Sequence, residues 1–157
     1  MPDDLHERDI LSWSEHQAEL LRRVARGERV NGVDWEHVVE EIEDVGLSEL
    51  NAVQSFLRLI LVHLMKVQGW PENLSVEHWR DEIALFQQEA VQRFAPSMRQ
   101  RIDLARIFER AQRQLAHAAY DGCPAPAWPT VCPFSLDQLL NTPLPTLEAM
   151  LTERPAN

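Results

Sequence analysis

The sequence lacks the features that mark secreted and membrane proteins. It has only two cysteines, too few for the disulfide framework of a small secreted protein. The polar, acidic segment 1–8 has no apolar core of the kind found in signal peptides. The longest apolar run, residues 56–67, is short and contains Arg58, His63 and Lys66, so it is typical of a buried helix. These absences predict a cytoplasmic protein that does not enter a membrane.

Positive charge is also scarce. The chain has 25 acidic and 15 basic residues, which gives a net charge of −10, and Lys66 is its single lysine. DNA and anionic lipids repel such a surface unless basic residues are held apart from the acids. Arg99, Arg106, Arg110 and Arg113 share one face of a predicted helix, but no aromatic residues are interleaved with them. We therefore do not expect this protein to bind nucleic acid.

No catalytic signature occurs. The sequence has no phosphate-binding loop, no dinucleotide fingerprint and no nucleophile elbow. It also lacks the His-Glu-x-x-His motif and the Glu-x-x-His pairs of di-iron bundles. The sequence therefore predicts no cofactor, and an enzymatic function is not favoured.

Helical periodicity of apolar residues predicts an all-α fold, an up-and-down bundle of about five helices. We expect one domain over residues 1–157, with the bundle core at 9–120 and an irregular, proline-rich tail at 121–157 packed across it. No segment alternates with a period of two, so no sheet is expected. The predicted helices cover residues 9–26, 35–45, 49–68, 76–95 and 97–120, with a short helix after Ser135 and a possible last turn at 146–153.

Two features of the second predicted helix matter below. Gly46 is expected to end or kink it, which would separate it from the third helix. Its inner face is expected to consist of the apolar residues at helical spacing: Trp35, Val38, Val39, Ile42 and Val45.

The candidate functional residues are polar side chains on or beside apolar helix faces. His63 lies on the apolar side of the third predicted helix, with Lys66 one turn later. A buried imidazole needs a hydrogen bond or a ligand, and Glu41 or Glu43 could supply one if helices two and three pack face to face. Alternatively, His63 is a satisfied core histidine, Lys66 extends to solvent, and Glu41 belongs to a solvated acidic face.

Other polar residues have simpler interpretations. His37, Glu41 and His63 are weak metal-ligand candidates, but a metal site needs three or four converging ligands, so none is predicted. Gln17 interrupts the apolar stripe of the first helix one turn after Trp13, where a buried amide usually holds a backbone group or an indole. Trp79 is expected to anchor the fourth helix in the core.

Several short segments follow one another in a specific order along the chain: Trp13–Gln17, Leu20-Leu21, Glu40–Glu43 with Gly46 and Ser48, His63–Lys66, Trp79-Arg80 with Ile83, Pro96-Ser97 and Cys132–Leu136. This series resembles a bacterial family known as domain of unknown function twenty-nine. The resemblance runs from about Arg8 to Leu140 and implies a helical bundle, with no activity to carry over. One departure is Phe108, where the family tends to place tyrosine. The resemblance singles out Glu41, His63 and Lys66.

Three functional hypotheses follow. The leading one is a helical partner-binding or accessory module that uses the acidic second helix or the proline-rich tail as its contact surface, because the charges are strongly segregated. The alternative is an enzyme or metal-binding bundle centred on Glu41, His63 and Lys66. The third is a structural homodimer formed by self-association.

Overall fold

The computed structural model describes residues 5–152, and helices make up most of this range. The prediction of an all-α fold is confirmed. Seven α-helices occur in the described residues: α1 Leu5–Arg8, α2 Ile10–Ala25, α3 Trp35–Gly69, α4 Val76–Arg93, α5 Leu104–Leu115, α6 Leu136–Asn141 and α7 Leu144–Thr152.

The chain divides into two compact units, Met1–Leu47 and Ser48–Asn157. The first contains α1, α2 and the beginning of α3, and Trp13, Gln17, Leu20 and Val38 are its buried residues. The second contains the rest of α3 and all later elements. The expectation of one domain over residues 1–157 stays a prediction.

The predicted break at Gly46 is wrong. Helix α3 continues through Gly46 without a break. It is 35 residues long, from Trp35 to Gly69. Gly46 is absent from the glycines with positive φ, and a Cβ there would meet no atom within 4 Å. A glycine inside a helix costs about 1 kcal/mol relative to alanine, which the packing of a long apolar helix can offset.

The segment after α4 also differs from the prediction. Residues 97–103 do not begin a helix, because Pro96–Met98 is a short 3₁₀ turn and α5 starts only after Asp103, whose side chain accepts a hydrogen bond from the Arg106 backbone N–H. Helix α5 ends at Leu115 rather than near Tyr120. The early start was predicted from a capping box formed by Ser97 and Gln100, but the residue that caps the helix is Asp103.

A two-stranded antiparallel ladder corrects the expectation of no sheet. Strand β1, Ala119–Tyr120, pairs with β2, Cys123–Pro124, around Asp121 and Gly122, which have φ angles of 53° and 77°. Asp-Gly is the preferred pair for a tight hairpin turn with positive φ at both positions. The sequence contained this signal, but proline density in the same stretch masked it.

The core of the second unit is built around α3. Leu57, Ile60, Leu61 and Leu64 are fully buried in it. The tail adds apolar residues to the same core, because Phe134, Leu139, Leu140, Leu147 and Leu151 are all buried. The tail from 121 onwards is therefore more regular than expected, with α6 and α7 inside it. Helix α7 covers most of the last turn predicted at 146–153, and residue 153 lies outside the described range.

Helix α3 is long and apolar enough to cross a membrane by length and composition. The core helix of a soluble protein has the same properties, so this is weak evidence. The absence of membrane contact and the cytoplasmic location stay predictions.

Candidate functional site

Asp34 is the centre of a polar cluster in the first unit. It directly precedes α3, and its Oδ1 accepts a hydrogen bond from the His37 backbone N–H at 3.4 Å, as an N-cap residue does. Its Oδ2 accepts from Trp13 Nε1 at 3.1 Å and from His37 Nδ1 at 2.7 Å. The Asp34 backbone N–H donates to Gln17 Oε1 at 2.9 Å. One carboxylate thus joins the buried face of α2 to the start of α3.

The contact between Asp34 and His37 changes the pKa of both groups. The hydrogen bond from His37 lowers the pKa of Asp34, and the indole N–H of Trp13 adds to this effect. The same hydrogen bond to Asp34 raises the pKa of His37, with smaller contributions from nearby acids, while partial burial opposes both shifts. The pair therefore stays oppositely charged over a wider pH range than two isolated groups.

A second imidazole–carboxylate pair lies beside the first. His6 Nε2 donates to Glu41 Oε1 at 2.7 Å, and the His6 ring stacks on His37 with ring centres 4.2 Å apart. Trp13 also packs edge-on against His6, with ring centres 4.7 Å apart. Glu41 is thus held by His6, and sequence patterns did not single out His6 because it precedes the first periodic helix.

Glu41 was predicted as a candidate partner of His63, but its Oε1 accepts a hydrogen bond from His6 instead. Both residues belong to the continuous helix α3, so the predicted face-to-face packing of two separate helices does not occur. His63 instead donates from Nδ1 to the Leu59 carbonyl at 2.8 Å and contacts Glu82 Oε2 through Nε2 at 2.7 Å. The other Glu82 oxygen lies 3.5 Å from the exposed His78.

The partners of His63 define its chemistry. The Leu59 carbonyl accepts a hydrogen bond from Nδ1 and the Glu82 carboxylate faces Nε2, so both ring nitrogens of His63 have a polar partner. The residue is 8 % exposed, and Phe86 packs edge-on against its ring with ring centres 5.3 Å apart. Glu82 follows Trp79 by three residues and precedes Phe86 by four, so an acid on the apolar face of α4 was the signal that could have identified it.

Lys66 does not simply extend to solvent. Its Nζ lies 4.4 Å from the centre of the buried Trp79 ring and 5.4 Å from that of Tyr120. A half-buried ammonium group over aromatic faces is stabilised by cation–π attraction. Lys66 and His63 are neighbours along α3, but one contacts aromatic rings and the other a carboxylate.

The metal candidates are not gathered into one site. His37 and Glu41 contact Asp34 and His6 in the first unit, and His63 contacts Glu82 in the second. Between residues 5 and 152, no group of three or more His, Cys, Asp or Glu side chains is placed to hold a metal ion.

Replacing Asp34 by asparagine is expected to return the pKa of His37 towards its ordinary value of about 6.5. The matched control is Asp103→Asn, because it removes the same charge from the N-cap of α5, where no histidine is bound. Two-dimensional NMR titration of the histidine ring protons measures the effect. An unchanged His37 pKa in Asp34→Asn would contradict the assigned cause.

The same pair predicts the pH dependence of stability. The raised pKa of His37 adds stability that is fully present below about pH 6.5 and is lost as pH rises through the folded-state pKa. The lowered pKa of Asp34 adds stability that is present above about pH 3.9 and is lost as pH falls through its folded-state pKa. Between about pH 3.9 and pH 6.5, the amides of α2 should therefore exchange more slowly in the wild type than in Asp34→Asn. The ratio of the two exchange rates should be largest in this range.

An apolar surface strip lies at the start of α3. The residues that we expected to form its inner face are exposed, except for the buried Val38. The exposed fractions are 56 % for Trp35, 52 % for Val39, 67 % for Ile42 and 68 % for Val45. We call these four residues the α3 stripe. Exposed glutamates at 36, 40 and 43 follow one edge of it, and no lysine or arginine occurs between residues 30 and 57.

Comparison with known proteins agrees with this fold. The chain is similar to an α-helical protein of unknown function from Rhodospirillum rubrum, whose crystal structure matches it with 28 % sequence identity and a TM-score of 0.63, over 94 % of this chain and 95 % of the other. No curated protein matches it. The family model described as a domain of unknown function, DUF29, matches residues 5–144. The chain therefore belongs to the DUF29 family.

Proposed function

We propose that this protein is a partner-binding module, and that the α3 stripe binds a basic amphipathic helix of another protein. The observation that carries the proposal is the exposure of the α3 stripe. Single exposed apolar residues are ordinary, but four on consecutive turns of one helix form a continuous apolar strip, as at helix-binding surfaces.

The polar cluster supports this use of the surface. Asp34, His37 and Gln17 fix the first turn of α3, which carries Trp35 at the beginning of the stripe. A surface that is ordered before binding loses less conformational entropy when a partner docks. Tryptophan is also among the side chains that contribute most to binding at protein interfaces.

Charge favours a basic partner over a second copy of the chain. Glu36, Glu40 and Glu43 border the α3 stripe on an exposed edge, and no basic side chain of the same segment neutralises them. Two stripes brought face to face would place these acids near each other, whereas lysines or arginines along a partner helix would complement them. The stripe spans about 15 Å, so it matches about three turns of a helix.

A synthetic helical peptide of about 18 residues, with leucines on one face and lysines along both edges, provides a direct test. It should bind at low salt and shift the Trp35 fluorescence to shorter wavelength, and the affinity should fall as salt screens the charges. Ile42→Asp should weaken binding by about tenfold or more. The matched control is Leu85→Asp, because Leu85 is 53 % exposed on α4 and lies outside the stripe.

Two results would count against the proposal. The first is equal binding of a peptide with glutamates in place of its lysines, because complementary charge would then not contribute to the affinity. The second is a concentration-dependent dimer in sedimentation that Ile42→Asp abolishes, because the occupant of the stripe would then be a second copy of the chain.

A further inference from the structure

The arginines of this acidic chain differ in whether they contact a carboxylate. The arginines at positions 22, 23, 26, 80, 93, 99 and 113 form ion pairs with glutamate or aspartate. Arg58 and Arg110 are among those that form no such pair with any residue from 5 to 152. With 25 acidic residues in the chain, a shortage of carboxylates does not explain this.

Arg58 and Arg110 line the same pocket in the second unit. The pocket has a volume of about 180 Å³, and its walls come from one face of α3 and one face of α5. Its lining residues are Asn51, Gln54, Ser55, Arg58, Ile107 and Arg110. All of the polar ones can donate hydrogen bonds, and none of them is an acid.

The guanidinium of Arg58 is held in position. Its NH1 donates to the side-chain oxygen of Gln114, an uncharged group that leaves the positive charge of Arg58 unneutralised. Ile107 is buried and provides the apolar wall of the pocket. The pocket therefore combines a fixed guanidinium, a second guanidinium, a hydroxyl and two amides.

We propose that this pocket binds the phosphate group of a small phosphorylated metabolite. A guanidinium donates two parallel hydrogen bonds to an oxyanion, and two of them match the double negative charge of a phosphate better than the single charge of a carboxylate. Ligand pockets usually have volumes of about 300–1,000 Å³, so this one is large enough only for the phosphate end of a ligand. The net charge of −10 repels anions at long range, so binding here requires local donors such as these.

NMR titration of the arginine side-chain N–H signals tests the proposal, with inorganic phosphate and glycerol phosphate as probes and sodium chloride or acetate at equal ionic strength as controls. Phosphate should shift the signals of Arg58 and Arg110, and glycerol phosphate should bind more tightly if the pocket serves an esterified phosphate. Arg58→Gln and Arg110→Gln should each weaken binding by about tenfold to a hundredfold, the usual range for charged hydrogen bonds.

Arg106→Gln is the matched control. Arg106 lies on α5 one turn before Arg110, and its replacement changes the net charge equally, but it lines a different pocket. If Arg106→Gln weakens phosphate binding as much as the other two variants, the weakening comes from the loss of positive charge in general. The proposed site is then refuted. Absence of phosphate-specific shifts in the wild type, or tighter binding of acetate, also overturns the proposal.

Discussion

Replacing Leu61 by alanine is expected to lower the free energy of unfolding of the second unit by about 2–5 kcal/mol. Leu61 is fully buried in α3, within the core that α4, α5 and the tail helices share. Its truncation removes apolar contacts and leaves a cavity that the surrounding helices can close only in part. Guanidinium denaturation followed by circular dichroism measures the loss.

Leu85→Ala is the control for this prediction. It makes the same chemical change on α4, where the side chain is largely exposed, and should alter the free energy of unfolding by less than about 1 kcal/mol. Equal effects of the two substitutions would show that α3 is not the centre of the core.

Replacing Glu82 by leucine is expected to destabilise the second unit by about 1–3 kcal/mol. The substitution leaves the buried Nε2 of His63 without its only acceptor in the described residues, while Nδ1 keeps the Leu59 carbonyl. Glu82→Leu should also change the ¹⁵N signal of His63 Nε2 more than that of Nδ1, because only Nε2 loses its partner. Chemical denaturation and ¹⁵N NMR measure the two effects.

A double-mutant cycle separates pairing from packing. His63→Leu combined with Glu82→Leu should cost less than the sum of the single changes, because no buried polar group is then left without a partner. His78→Ala is the control, since the His78 side chain is 71 % exposed and lies 3.5 Å from the same carboxylate. Additive single changes would mean that His63 and Glu82 do not depend on each other.

Sequence periodicity located most of the described helices but not all of their ends, and it did not predict α1. Asp34 caps α3, and this role is predictable from the sequence because a short polar side chain before an apolar repeat has a local effect on the backbone. Gly46 was wrongly expected to end that helix. Gly46 ends the helix only if its cost of about 1 kcal/mol exceeds the stabilisation that α3 gains from packing along its whole length. The residues next to Gly46 in the sequence do not reveal that packing.

For the candidate site residues too, some properties could be predicted from the sequence and others could not. His63 was expected to be buried and to need a partner, and both features follow from one helix face. The partner, Glu82, is 19 residues away in the chain and reaches His63 only through the packing of α4 against α3. Glu41 was a plausible partner only while α3 was divided into two helices.

The sequence by itself determined that this protein is helical, that the apolar run at 56–67 belongs to a buried helix, and that His63 and Gln17 are buried polar residues. These properties depend on side-chain spacing within single helices. Only the tertiary structure decided that Trp35, Val39, Ile42 and Val45 are exposed, that Asp34 links Trp13 to His37, and that Arg58 and Arg110 share a pocket. Such relations depend on how segments distant in the chain pack, because an apolar helix face is buried only where another element covers it.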